Sequence, residues 1–220
     1  MEPPPEAYEW TRPVEQTPDA PRYLEIAFEH GMPIILDGDE LGSVELVERL
    51  NDIGGIHGVG RIDHVEDRLV GIKSREIYEA PAAVILHAAH RALEAMTLSK
   101  QQIRLKKQIA QEYAELIYNG LWFSRHHQDI AAYVASTQRE VTGTIRVRLH
   151  KGQAVVVGRR SEASLYDRAL ATYDRGDLYD QSAAVGFITI WGLQTRVQAK
   201  TQLLGQLDET LKIAMPEELR

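Results

Sequence analysis

Apolar residues recur along this chain with two periods, and the period changes at glycine and proline. Ile145, Val147 and Leu149 alternate with Arg146, Arg148 and His150, the two-residue period of a half-buried strand. Lys151–Gly152 turns that strand back into Gln153–Val157 as a hairpin. Tyr23, Ile26 and Phe28, followed by Pro33–Leu36, predict an earlier hairpin that turns at Glu29–Gly31. Between these lie helical patterns. Ser43 is placed to cap a helix through Leu50, with Glu45 and Glu48 near its positive end. Pro81 suits the first position of an alanine-rich helix to about Met96. Ile109, Tyr113, Leu116 and Ile117 mark a second stripe that ends near Asn119–Gly120, and a third helix runs from about Asp129 to Arg139. Strands and helices are segregated rather than alternating. The expected class is therefore α+β, a mixed or antiparallel sheet with packed helices, rather than a doubly wound α/β sheet.

The chain divides into three parts. Residues 1–21 hold six of the nine prolines, which remove donors and fix φ, so an extended, proline-rich connector is expected there. A chain that begins this way reads as cut from something longer. Residues 22–195 form the folded body. In residues 196–220 and the approach to them, Leu193, Val197, Leu204, Leu207, Leu211 and Ala214 trace a heptad seam broken only by Lys200. A helix with one narrow apolar seam needs a partner surface. That surface is either another subunit, which makes this an extended C-terminal oligomerisation helix, or the chain's own body.

The densest chemistry lies in Gly58–Pro81, GVGRIDHVEDRLVGIKSREIYEAP. Acidic, basic and phenolic groups alternate there with β-branched residues, and Gly58, Gly60 and Gly71 punctuate the run. The window reads as short strands that hold charged groups at their ends. Carboxylates would take an ammonium or ureido N–H, and Arg or Lys a carboxylate, as a zwitterionic small molecule requires. A surface ion-pair network accounts for the same composition.

Composition narrows the classes. Hydrophobic residues make up 44 % and charged ones 26 % of the 220 residues, a globular balance. The net charge of −7 argues against a nucleic-acid or anionic-membrane surface. Cysteine is absent, which removes disulfide and thiolate chemistry and suits a reducing cytoplasm. The longest apolar run, Ala80–Leu86, is far too short to span a bilayer, and no secretory signal is expected at the start. His87 and His90 share a helix face without a third ligand, so two helix-packing histidines are expected and no metal site. Adjacent His126 and His127 suggest a solvated loop. Gly54–Gly58 lacks the grammar of a phosphate cradle. Ser161, Ser164 and Tyr166 offer hydroxyls in no readable catalytic order, and Trp122 and Trp191 are expected in the core.

The run Val59–Arg75 with Ile77–Tyr78–Glu79 closely resembles argininosuccinate synthase. The resemblance continues in order through His87–Arg91, Tyr113–Phe123, Val141–Thr144, Gly158–Ser161 with Ser164–Asp167, and Tyr179–Phe187, covering roughly residues 20–195. It implies the C-terminal catalytic and multimerisation domain of an enzyme that joins citrulline to aspartate, with ATP (and Mg) as co-substrate and with release of AMP and pyrophosphate. By motif, Glu66 and Tyr78 are then the citrulline contacts. Lys73, Ser74 and Arg75 are nearby support without an assigned role, and no catalytic residue is carried over. The family's phosphate loop, Ser-Gly-Gly-x-Asp-Thr-Ser, has no counterpart here, so ATP is expected on an N-terminal half supplied in cis or in trans. The family's homotetramers, with a C-terminal arm reaching across subunits, favour the assembly reading of the tail. A rival from another class is a non-catalytic oligomeric module that keeps citrulline or arginine binding.

Overall fold

The computed structural model describes residues 2–168, 170 and 181–203. The chain forms two compact units, residues 1–166 and 167–220. In the first unit, β1 (Arg22–Glu29), β2 (Met32–Leu36), β3 (Asp39–Glu40), β6 (Gly143–His150) and β7 (Gln153–Arg160) make one sheet in the order β3-β2-β1-β6-β7. Every pairing in it is antiparallel. Strand period sets the faces. Leu24, Ile26 and Phe28 of β1 point inward beside Ile145, Val147 and Leu149 of β6. Tyr23, expected with Ile26 and Phe28, stands on the opposite face because an odd-numbered neighbour cannot share their side of the pleat. Three two-residue turns, His30–Gly31, Asp37–Gly38 and Lys151–Gly152, have positive φ at both positions. That backbone matches the twist of the strands it joins.

The inner face of the sheet is covered by α1 (Ser43–Ile56) and α2 (Pro81–Thr97), which also pack on each other. Leu46, Leu50, Ile85, Ala89 and Leu93 meet the β1 and β6 side chains in one buried cluster. Ser43 is not the cap of α1: Gly42 takes that position, and Ser43 is the first helical residue with no capping bond. The helix also continues past Leu50 through Gly54 and Gly55. The next helices, α3 (Lys100–Tyr118) and α4 (Arg125–Thr137), pack on one another. Ser99 and Gln102 form a reciprocal capping box on α3. Ser124 caps α4, so this helix starts before Asp129 and carries His126 and His127 on its first turn rather than in a loop.

The proline-rich start is extended between two single 3-10 turns, Pro5–Ala7 and Val14–Gln16, and it lies on the body. Thr11 and Thr17 are buried, and the Arg12 amide donates to the Gly55 carbonyl at 2.9 Å. In the second unit, α5 (Ala183–Trp191) and α6 (Leu193–Gln198) are followed by a π-helical turn, Ala199–Leu203. Of the expected seam, Leu193 and Val197 lie on α6; Leu204, Leu207, Leu211 and Ala214 lie outside the described residues.

Candidate functional site

The charged window folds as β4 (Arg61–Asp67) and β5 (Lys73–Glu79), an antiparallel hairpin that pairs with no other strand among the described residues. The register sets Ile62 against Tyr78, His64 against Glu76 and Glu66 against Ser74. These six residues share one face. Arg61, Asp63, Val65 and Asp67, opposite Glu79, Ile77, Arg75 and Lys73, share the other. The groups therefore lie along the strands rather than at their ends.

Both faces carry ion pairs. The second face is a surface ion-pair network. Arg75 donates two bonds to Asp63, at 2.8 and 2.6 Å, and Lys73 donates to Asp67 at 2.6 Å. The Arg75 hydrogen bond holds the Asp63 carboxyl below its ordinary value. The first face brings Glu66 and Tyr78 together with His64, Arg68, Ser74 and Glu76. Arg68 reaches back from the tip to donate to Ser74 Oγ at 2.9 Å and to Glu76 at 2.5 Å, and the bonds from Arg68 and Ser74 lower the Glu76 pKa. The His64 ring meets the Tyr78 ring edge-on at 5.4 Å.

Glu66 differs from its neighbours. Its side chain makes no hydrogen bond among the described residues, and the nearest side-chain nitrogens are His64 Nε2 at 3.7 Å and Arg68 Nε at 3.9 Å. Only 20 % of its side chain is exposed. A half-shielded carboxylate with free acceptor capacity is suited to a donor from outside the chain. Tyr78 is 44 % exposed. Partial burial, then the Glu66 and Glu76 carboxylates, push its phenol up, so at neutral pH it keeps its proton and can donate.

Lys73, Ser74 and Arg75 separate accordingly: Ser74 stands directly across from Glu66, and Lys73 and Arg75 point away from it. The sequence reading does not single out His64, Arg68 and Glu76 as companions of Glu66 and Tyr78. The two-residue spacing 64-66-68 and 74-76-78 is the signal that finds them.

Other expected residues fall elsewhere. His90 bonds Gln138 at 2.8 Å and packs against Phe28, as a helix-packing histidine does; His87 is exposed, which corrects its expected packing role. His127 stacks on Tyr113 at 5.2 Å, and His126 pairs with Glu112 at 3.0 Å. Trp122 and Trp191 are not core residues but 49 % and 78 % exposed. Trp122 follows the end of α3 on the surface, and Trp191 ends α5. Ser161 Oγ accepts from the Ala163 amide and donates to the Thr142 carbonyl, and Ser164 Oγ accepts from the Tyr166 amide, so both hydroxyls serve local backbone structure. Gly54 packs on Pro81 and Ile85, and Gly55 on the Trp10 carbonyl, which is why this stretch is glycine-rich.

The fold and this face together define a helix-backed antiparallel α+β domain that presents a polar hairpin surface. A family model described as the arginosuccinate synthase C-terminal domain matches residues 1–198, and the chain belongs to that family. It is 61 % identical over 201 residues to an argininosuccinate synthase of Dehalococcoides mccartyi, covering 91 % of this chain and 50 % of that protein. Over 199 residues it is 58 % identical to the argininosuccinate synthase of a Synechococcus strain, covering 90 % of this chain and 50 % of the relative. The enzyme of that name from Bacillus subtilis is 53 % identical over 197 residues, or 90 % of this chain and 49 % of the relative. The chain thus spans about half the length of the curated relatives it matches. No helix among the described residues is long and apolar enough to cross a membrane.

Proposed function

We propose that this chain supplies the citrulline contacts and the assembly surfaces of a cytoplasmic argininosuccinate synthase serving arginine biosynthesis. The observation that carries this reading is the shared hairpin face, where the Glu66 carboxylate is free to accept and the Tyr78 phenol is free to donate. Glu66 would take the citrulline ammonium or ureido N–H, and Tyr78 would orient the bound molecule. In the overall reaction the ureido oxygen is activated by adenylyl transfer, releasing pyrophosphate, and attack by the aspartate amine then releases AMP. The glycine-rich stretch Gly54–Gly58 does not fit ATP phosphates. Gly54 and Gly55 are closed off by Pro81 and the Trp10 carbonyl, so the nucleotide and its magnesium fall to an N-terminal half.

The assembly surface rests on α5. Its sequence AAVGFITIW has no charged residue, and Val185, Phe187, Ile188, Ile190 and Trp191 are all more than 60 % exposed in the single chain. A helix apolar on every side is stable only when covered. A second copy of the chain, in a homotetramer, is the occupant we propose.

The test combines this chain with a separately expressed nucleotide-binding half and follows citrulline- and aspartate-dependent AMP release. Losing a buried partner of a charged substrate group costs about 2–4 kcal/mol. Glu66→Gln and Tyr78→Phe should therefore weaken citrulline use by roughly 30- to 1000-fold with little change in the ATP requirement. Unchanged citrulline kinetics in both variants would return this face to a plain surface network. Robust turnover by the chain alone would refute the division of labour.

A further inference from the structure

We propose that Glu79 is a positioning residue for the Glu66/Tyr78 face, an assignment that rests on the citrulline reading above. The hairpin poses a mechanical problem. It pairs with no other strand among the described residues, and an isolated two-stranded hairpin is marginal in water. Something must hold it at an angle that makes a binding face. Its root supplies the device. Glu79 stands opposite Arg61, and the two side chains grip the same stretch of the proline-rich strap from both sides.

The Glu79 carboxylate accepts the amides of Glu9 at 2.7 Å, Trp10 at 3.0 Å and Thr11 at 2.8 Å, and the Thr11 hydroxyl at 2.5 Å. Arg61 donates through Nε to the same hydroxyl at 2.8 Å and through Nη2 to the Thr11 carbonyl at 2.8 Å. Its guanidinium also lies 3.8 Å from the centre of the Tyr8 ring. Thr11 thus gives its proton to one strand, takes one from the other, and is itself buried. Burial pushes the Glu79 carboxyl up, but the Thr11 hydroxyl and the three amides outweigh it and hold the group below its ordinary value.

This clamp lies on the face opposite Tyr78, one residue away. Fixing the Glu79 side chain fixes the strand at its neighbour, and strand alternation then aims the Tyr78 ring away from the strap and onto the face with Glu66. Glu79 has its acceptor capacity filled by the strap, so it does not touch the ligand. Its effect on citrulline passes through Tyr78.

The test has two arms. In the first, hydrogen exchange is compared for the full chain, Glu79→Ala and the milder Thr11→Val. Residues 61–67 and 73–79 should exchange about tenfold faster in both variants, with β1 and β6 unchanged. Faster exchange confined to residues 9–11 would overturn the proposal, because Glu79 would then only tie down the strap. In the second arm, the complemented enzyme carries Glu79→Gln, Tyr78→Phe or both. Glu79→Gln should raise the citrulline KM about tenfold with kcat nearly constant, and it should add nothing in the Tyr78→Phe background. Additive effects would overturn the assignment. A silent Tyr78→Phe would instead refute the citrulline reading, and the exchange arm would still decide whether Glu79 orders the hairpin.

Discussion

Gly55→Ala sets two effects of opposite sign against each other. Inside a helix, alanine is favoured over glycine by about 1 kcal/mol, so propensity alone predicts a stabilised α1. The structure predicts the reverse. A Cβ at position 55 would lie 2.3 Å from the Trp10 carbonyl oxygen and 3.3 Å from its carbon, both backbone atoms of the strap. The strap could lift away, but it would forfeit the four bonds into the Glu79 carboxylate. Hydrogen bonds to a charged group contribute about 1.5–3 kcal/mol each, so that escape costs more than the clash. The end of α1 yields instead, and overpacking of this kind costs about 1–3 kcal/mol. The net effect is a loss of roughly 1 kcal/mol, or a Tm lowered by about 2–4 °C for a domain of this size. Removing residues 1–12 takes the Trp10 carbonyl away, and in that background Gly55→Ala should stabilise by about 1 kcal/mol. Thermal melts by circular dichroism on the four proteins read both signs. A substitution that raises Tm in the full chain, or that has one sign in both backgrounds, would show that the strap does not rest on α1.

Two further outcomes follow from the same contacts and from α5. Glu79 has its carboxyl pKa lowered in the fold, so its contribution to strap docking is complete above the ordinary value of 4.5 and is lost as pH falls through the lower folded value. The Thr11 amide proton, followed by NMR, should report this transition below pH 4.5, and an inflection above that value would contradict the clamp. On α5, Phe187→Asp with Ile190→Asp should lower the mass seen by light scattering and leave the sheet's circular dichroism intact, since each covered side chain contributes about 1.5–3 kcal/mol to an interface. An unchanged mass would mean that α5 is not an assembly element.

Much of the fold is legible because its strands obey a period and its helices carry caps. The alternation of Ile145, Val147 and Leu149 locates β6, and Pro81 locates the start of α2. The errors lie where local and distant forces disagree. The helix expected through Leu50 runs on through Gly54 and Gly55, which pack on Pro81 and the strap. Ser43 looks like a cap by type, yet Gly42 already has the extended backbone that a cap position requires. Asp37–Gly38 carries the commonest hairpin signal, but the strand it opens, β3, is only two residues long and shows no period of its own. Trp122 and Trp191 suit a core by residue type, but type alone does not decide burial.

The candidate site is legible in a different way. Glu66 and Tyr78 come from a motif, and the pleat brings them to one face: the register 62-to-78 and 66-to-74 puts both on one side. The same alternation removes Lys73 and Arg75 from that side, a deduction that needs only the strands. The clamp is not open to deduction. Glu79 and Thr11 are separated by 68 positions, and nothing in either local sequence says that a carboxylate at the end of one strand will gather three amides and a hydroxyl from a proline-rich strap. Yet the strap's composition contains the physical reason. Its prolines keep the chain extended, and an extended segment has free amides to offer because it bonds to no helix or sheet of its own. A buried amide without a partner is costly, so a strap lying on a folded body must find acceptors there. Glu79 is that acceptor. A segment read as a connector therefore carries a demand that the root of the neighbouring hairpin meets.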